Sequence, residues 1–138
     1  KTGSDYIAVI FSISLLTVSG AAIAALVLST FISNVILKNA VMRPRPFEVL
    51  PQIIPLITHA SGYSFPPGHT TAAFACAFVY YKLLPKFFGL PIMLLAVMVA
   101  FSRLYLGVHY PLDVLGGIVT AWFGSMLAIK SLHRFKQN

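Results

Sequence analysis

Acidic side chains are nearly missing from this chain: three Asp and Glu stand against ten Lys and Arg in 138 residues, and charged residues of both signs make up 9%. Soluble domains carry roughly a quarter charged residues, so the composition argues against a water-soluble domain. Three carboxylates, Asp5, Glu48 and Asp113, are also too few and too scattered to build the oxygen-rich cage that a divalent ion requires. Cysteine occurs once, at Cys76, which rules out an intrachain disulfide and leaves a small side chain packed in an apolar stretch. No linker, internal repeat or low-complexity tract divides the chain, and a single membrane-embedded domain over 1–138 is expected.

What is abundant is apolar, at 58% hydrophobic residues. A helix crosses a bilayer with about 20 predominantly apolar residues. Three windows are long enough: Tyr6 to Leu37, Phe87 to Leu106, and Tyr110 to Ile129. A fourth, His69 to Leu84, is of marginal length, with the Lys82 stem able to snorkel at its end. The first window is too long for one straight span, and splitting it at Ser19-Gly20 leaves two short pieces. One long or bent helix is expected there, with a hairpin as the alternative. The predicted fold class is all-α, an integral membrane helical bundle of about four to five transmembrane helices.

The net charge of +7 does not point to nucleic acid, because the basic residues cluster at the ends of apolar runs instead of forming a stripe with interleaved aromatics. Lys82 and Lys86 follow the second helix, and Lys130, Arg134 and Lys136 follow the fourth, so all five gather on one side. The positive-inside rule makes that side cytoplasmic. The opposite, extracytoplasmic side then carries nearly all the remaining polar chemistry, in "LKNAVMRPRPF", "SFPPGHTT" and "SRLYLGVHYPLD".

In the first segment, Lys38 ends the apolar run, and the prolines of "RPRP" stop the helix and hold Arg43 and Arg45 on a stiff extended stretch. Such a cluster suits either lipid headgroups or a phosphate clamp. In the second, Pro66, Pro67 and Gly68 open a helix whose free N–H groups favour an anion, and His69 sits at that start as an interfacial histidine or one aimed at a ligand. In the third, His109 and Asp113 are four apart around Pro111, a spacing that brings imidazole and carboxylate to one helical face. The carboxylate either orients the imidazole, leaving its other nitrogen nucleophilic, or simply favours the helix N-terminus. The loop Phe47 to Tyr63 between the first two segments is apolar and reads as an interfacial lid, with Glu48 and His59 as solvated loop residues.

Together the three segments resemble the signature of the type 2 phosphatidic acid phosphatase superfamily, K-x6-R-P, then P-S-G-H, then S-R-x5-H-x3-D. Lys38, Arg45 and Pro46 match the first element; Pro66, Gly68 and His69 match three positions of the second; Ser102, Arg103, His109 and Asp113 match all of the third. The resemblance implies the six-helix lipid phosphatase core, here with one or two amino-terminal helices fewer. It also implies a hydrolase that needs no metal or other cofactor and acts on a lipid phosphomonoester or diphosphate.

The catalytic residues carried over by the resemblance are His109 as the nucleophile that becomes phosphohistidine, Asp113 as its orienting partner, and His69 as the acid and later base. Lys38, Arg45 and Arg103 would hold the non-bridging oxygens, assisted by Gly68 N–H and Ser102. Phosphoryl transfer calls mainly for positioning and neutralisation of equatorial oxygens, and three cations suit it. One position departs from the pattern. Pro67 stands where the family has serine, which removes a hydroxyl and an N–H, and Thr70 and Thr71 are the candidates to replace them. The expected partners are an amphipathic lipid phosphate or diphosphate and the surrounding lipids of a bacterial cell membrane. Undecaprenyl diphosphate, phosphatidic acid, phosphatidylglycerol phosphate and lipid A phosphates are all candidates. The competing reading is a non-catalytic or weakly active protein of the same fold that binds phospholipid headgroups.

Overall fold

The computed structural model describes residues 2–56, 62–135 and 137, with the backbone alone for 2–11. His59, Lys136 and the part of the expected lid from 57 to 61 lie outside the described residues. The elements run α1 (Thr2–Phe31), a π-helical turn (Ile32–Leu37), α2 (Lys38–Val41), α3 (Pro46–Val49), α4 (Gly68–Leu83), α5 (Lys86–Tyr105) and α6 (Pro111–Phe135). Four of these are long helices, and α2 and α3 are single turns.

The first apolar run forms one helix from α1 through the π turn into α2, with no hairpin at Ser19-Gly20. A turn there would free backbone N–H and C=O groups where lipid offers them no partner. The thirty residues of α1 alone reach about 45 Å, more than a ~30 Å hydrocarbon core. Among the described residues, three stretches are long and apolar enough to cross a membrane, Ser12–Val49, Lys86–Tyr105 and Pro111–Phe135. The sixteen residues of α4 make about 24 Å and fall short of a full span.

Short α4 is instead the most enclosed helix, packed on α1, α5 and α6, while α5 touches α6 only slightly. Its partner α5 presents Phe87, Leu94, Met98 and Phe101 outward, the face that lipid would cover. Small residues let the other helices approach closely. Ala21, Ala25 and Ser29 on α1, continued by Ser33 in the π turn, form a buried stripe at a four-residue period, and Gly117, Ala121, Gly124 and Ala128 form its counterpart on α6. This is the small-residue packing by which membrane helices associate when no hydrophobic drive separates protein from lipid. A Cβ on Gly124 would collide with the Ser29 hydroxyl and sit 3.2 Å from the Ser29 backbone nitrogen. The Ser125 hydroxyl lies 3.0 Å from the Ala75 carbonyl of α4 and 2.6 Å from the Ala121 carbonyl of its own helix.

Because α4 and α6 run opposite to α1 and α5, one end of the bundle gathers the end of α2, the start of α4, the end of α5 and the start of α6. Every motif residue lies at that end. The other end carries the α4–α5 turn and the basic tail of α6. Gly124→Ala is expected to destabilise the α1–α6 contact by about 1–3 kcal/mol, the usual cost of overpacking. Gly20→Ala, where nothing lies within 4 Å, should be neutral or stabilising. Thermal unfolding of the two variants in detergent checks the difference, and equal melting temperatures would contradict the close packing.

Candidate functional site

The helix carrying Lys38 ends at Met42, which takes the left-handed conformation at φ 48°. Arg43 and Arg45 then follow on the proline-stiffened segment, and they do different things. Arg43 Nη1 meets Asp113 Oδ1 at 2.7 Å, and its guanidinium stacks 3.9 Å from the centre of the Tyr110 ring. Arg45 is buried, with Nε donating to the Gly62 carbonyl at 2.8 Å and Nη1 to the Val108 carbonyl at 3.1 Å. It thereby ties the loop before α4 to the loop before α6. Glu48 is not merely solvated: its Oε2 accepts the Arg45 N–H at 2.8 Å and closes the single turn of α3.

Asp113 is fully buried in the first turn of α6. Its carboxylate takes Arg43 on one oxygen, and on the other the Ser64 hydroxyl and the Tyr110 N–H, the latter at 3.1 Å. The spacing of four predicts contact between Asp113 and His109, and that contact is not formed. The helix begins only at Pro111, so His109 lies before it, where the i,i+4 geometry does not apply. The imidazole turns instead toward the loop before α4, and Nδ1 donates to the Ser64 carbonyl at 2.7 Å. That bond fixes the proton on Nδ1 and leaves the Nε2 lone pair available.

Ser64 is therefore the junction of the site, and sequence reasoning missed it. Its N–H donates to the Arg43 carbonyl at 2.8 Å, its hydroxyl to Asp113, and its carbonyl accepts from His109. It stands in "SFPPGHTT", yet nothing in the motif spacing singles it out. Two glycines with positive φ, Gly62 at 75° and Gly107 at 69°, shape the loops on either side of this junction.

The other expected site residues lie at the same end of the bundle. The Lys38 side chain passes over Gly62, with Nζ 3.7 Å from where a Cβ would be. Gly68 and His69 open α4, where the first intrahelical bond is Thr71 N–H to the Pro67 carbonyl, so the Gly68 and His69 N–H groups have no partner inside the helix. His69 is exposed. Arg103, half-buried in the last turn of α5, bonds Ser102 Oγ through Nε at 3.2 Å. The Ser102 hydroxyl donates to the Val99 carbonyl at 2.7 Å, so it steadies Arg103 and is not poised as an independent donor. No bond joins Arg103 or His69 to the Ser64 junction. Among the described residues no group of histidines, cysteines and carboxylates has the makings of a metal site.

Burial, followed by the Arg45 charge, pushes the His109 imidazole down to about 4. The Ser64 carbonyl and the Asp113 charge oppose this, and the Lys38 charge adds to it. The arrangement is thus a neutral imidazole with one nitrogen tied to a carbonyl, set beside two cations, Arg45 and Lys38, from one segment of chain.

A family model described as the PAP2 superfamily matches residues 18–137, and the chain belongs to that superfamily. Undecaprenyl-diphosphatase BcrC of Bacillus subtilis (strain 168) is 39% identical over 88 residues, covering 64% of this chain and 45% of the relative. Phosphatidylglycerophosphatase B of the same organism is 40% identical over 92 residues, covering 59% of this chain and 44% of the relative. The crystal structure of Aquifex aeolicus LpxE matches the fold with a TM-score of 0.75 at 27% identity, over 88% of this chain and 76% of that one. The chain spans less than half the length of these two curated relatives. The expected all-α membrane bundle is the fold observed, and the chain is an integral membrane protein.

His109 should stay neutral and Nδ1-protonated down to about pH 5 and titrate near pH 4. An unfolded imidazole binds its proton near 6.5 and the folded one only near 4, so the unfolded state holds more protons between those values. Stability should accordingly decline as pH falls through that window. Histidine-selective ¹⁵N spectra in detergent check both tautomer and midpoint, and a midpoint near 6.5 would contradict the buried, cation-flanked environment.

Proposed function

We propose that the chain is the catalytic bundle of a membrane lipid phosphatase that hydrolyses a phosphomonoester or diphosphate of an amphipathic lipid without a metal. The observation that carries this reading is His109: neutral, with Nδ1 held by the Ser64 carbonyl and Nε2 available, beside the charges of Arg45 and Lys38.

In the proposed reaction His109 Nε2 attacks phosphorus, the P–O bond to the lipid breaks, and His69 gives its proton to the leaving oxygen. The imidazole becomes cationic as it attacks, a charge that the Ser64 carbonyl and the nearby Asp113 favour. Lys38, Arg45 and Arg103 neutralise the phosphoryl oxygens, with the Gly68 N–H as a further donor. His69 then takes a proton from water, which attacks phosphorus, breaks the P–N bond and releases inorganic phosphate. Asp113 acts in this scheme through Ser64 and through its charge, without touching the imidazole.

An amphipathic substrate is supported by the edge of the site. Leu56 N–H approaches the Leu106 carbonyl at 3.4 Å, and Ile53 lies against Gly107, so the chain after α3 rests on the loop that carries His109. Its outer face is apolar: Ile54 is 84% exposed, and Leu50 and Leu56 are exposed beside it. A charged cluster with an apolar rim suits a lipid whose phosphate enters and whose tail stays outside. Basic residues at the opposite end of the bundle support, by the positive-inside rule, a site that faces the extracytoplasmic side. The names of two relatives, undecaprenyl-diphosphatase and phosphatidylglycerophosphatase B, indicate the substrates to try first.

The competing reading, a protein that holds lipid headgroups without turnover, draws its support from Pro67. Phosphate release by the purified protein in EDTA, across undecaprenyl diphosphate, phosphatidic acid and phosphatidylglycerol phosphate, decides between them. Release from at least one lipid, lost in His109→Ala, is expected. Headgroup binding without release by the wild-type chain would establish the competing reading.

A further inference from the structure

Pro67 lacks both a hydroxyl and an N–H where the superfamily signature has serine. It is fully buried, and its ring faces α6: Cδ and Cγ lie 3.2 and 3.3 Å from where a Cβ on Gly117 would be. Neither threonine expected to compensate does so. Thr71 Oγ1 bonds the Pro67 carbonyl at 3.2 Å. Thr70 has no accessible surface, and its Oγ1 is buried without a partner among the described residues. Both lie inside the bundle, away from the face a ligand can reach.

We propose that Asn34 is a further substrate-contacting residue, whose carboxamide donates to the transferring phosphoryl group in place of the serine that Pro67 has replaced. This rests on the phosphatase reading above. Asn34 is exposed, and its side chain makes no hydrogen bond among the described residues. Its Oδ1 and Nδ2 stand 3.2 and 3.7 Å from the point a Cβ on Gly68 would occupy, so the amide lies directly against the glycine that opens α4. It precedes Lys38 by four residues, about one helical turn, and each reaches toward a glycine of the 62–68 segment: Lys38 over Gly62, Asn34 against Gly68.

The backbone holding Asn34 is also unusual. It lies in the π-helical turn, where Lys38 N–H bonds the Ser33 carbonyl instead of that of Asn34. Single π turns recur at functional sites, since the extra residue re-aims the side chains around it. The exposed Asn34 amide has no protein partner among the described residues and is open to one from a ligand. A phosphoryl oxygen beside Gly68 is such a partner. The carboxamide also flips without moving the backbone, so either of its ends can face the ligand.

The test compares purified wild type with Asn34→Ala and Asn34→Asp, on whichever lipid phosphate the wild type hydrolyses and by calorimetric titration with orthovanadate, which mimics the five-coordinate transition state. Loss of one such donor typically costs about 10²–10³ in turnover. Asn34→Ala is expected to lower kcat by that order with little change in KM, to weaken vanadate binding in parallel, and to leave the melting temperature unchanged. Asn34→Asp, nearly isosteric but anionic, should lose more than Ala on both readouts. Unchanged kcat and vanadate affinity, Asp performing as well as Asn, or a loss of activity matched by a lower melting temperature would each overturn the proposal. A wild type that hydrolyses no lipid phosphate would count against the phosphatase reading instead, and the vanadate titrations would still decide the role of Asn34.

Discussion

A single buried carboxylate organises this end of the bundle. Asp113 has no accessible surface, and an uncompensated charge in that position would be prohibitive. Its three donors come from three parts of the chain: Arg43 from the segment after α2, the Ser64 hydroxyl from the loop before α4, and Tyr110 N–H from the loop before α6. Removing Arg43 would leave a buried carboxylate without its counter-ion, though the cost is reduced by solvent at the Arg43 side chain, which is 34% exposed. These loops are therefore held in one arrangement by the carboxylate they share. The Ser64 carbonyl is part of that arrangement, and it is what orients His109.

The same economy explains why two adjacent arginines differ. Arg43 neutralises Asp113 and stacks on Tyr110, while Arg45 is drawn inward to the Gly62 and Val108 carbonyls. Burial first and the Arg45 charge second lower the affinity of His109 for a proton, and Asp113, already compensated by Arg43, offsets that only in part. A neutral imidazole results without any direct contact between histidine and carboxylate. Small-residue packing between α1 and α6 supports this from below, since it brings Asn34 against Gly68 at the start of α4 and Lys38 over Gly62 in the loop before it.

Much of this was legible in the sequence because each signal had a local cause. Apolar run lengths gave the long helices, Pro46, Pro67 and Pro111 marked starts or edges of elements, and motif spacing gathered Lys38, Arg45, His69, Arg103, His109 and Asp113 at one end. What was not legible depended on contacts between distant segments. The His109–Asp113 pairing was inferred from helical spacing, and it failed because His109 precedes the helix. Ser64 and Asn34 carry no motif of their own, and their importance lies in a carbonyl aimed across 45 residues and an amide lying against Gly68. Thr70 and Thr71 had the right chemistry and sequence position, but the helix turns both into the core.

The central claim is that His109 forms the covalent intermediate, and trapping that intermediate tests it most directly. Wild-type protein mixed with a lipid substrate labelled in its transferable phosphate is quenched in alkali, which preserves P–N bonds, and digested for mass spectrometry. A phosphoryl group on the peptide containing His109, absent from His109→Ala and removed on longer incubation, is the expected result. Turnover with the label on a peptide that lacks His109, or with no covalent label at any time, would contradict the mechanism.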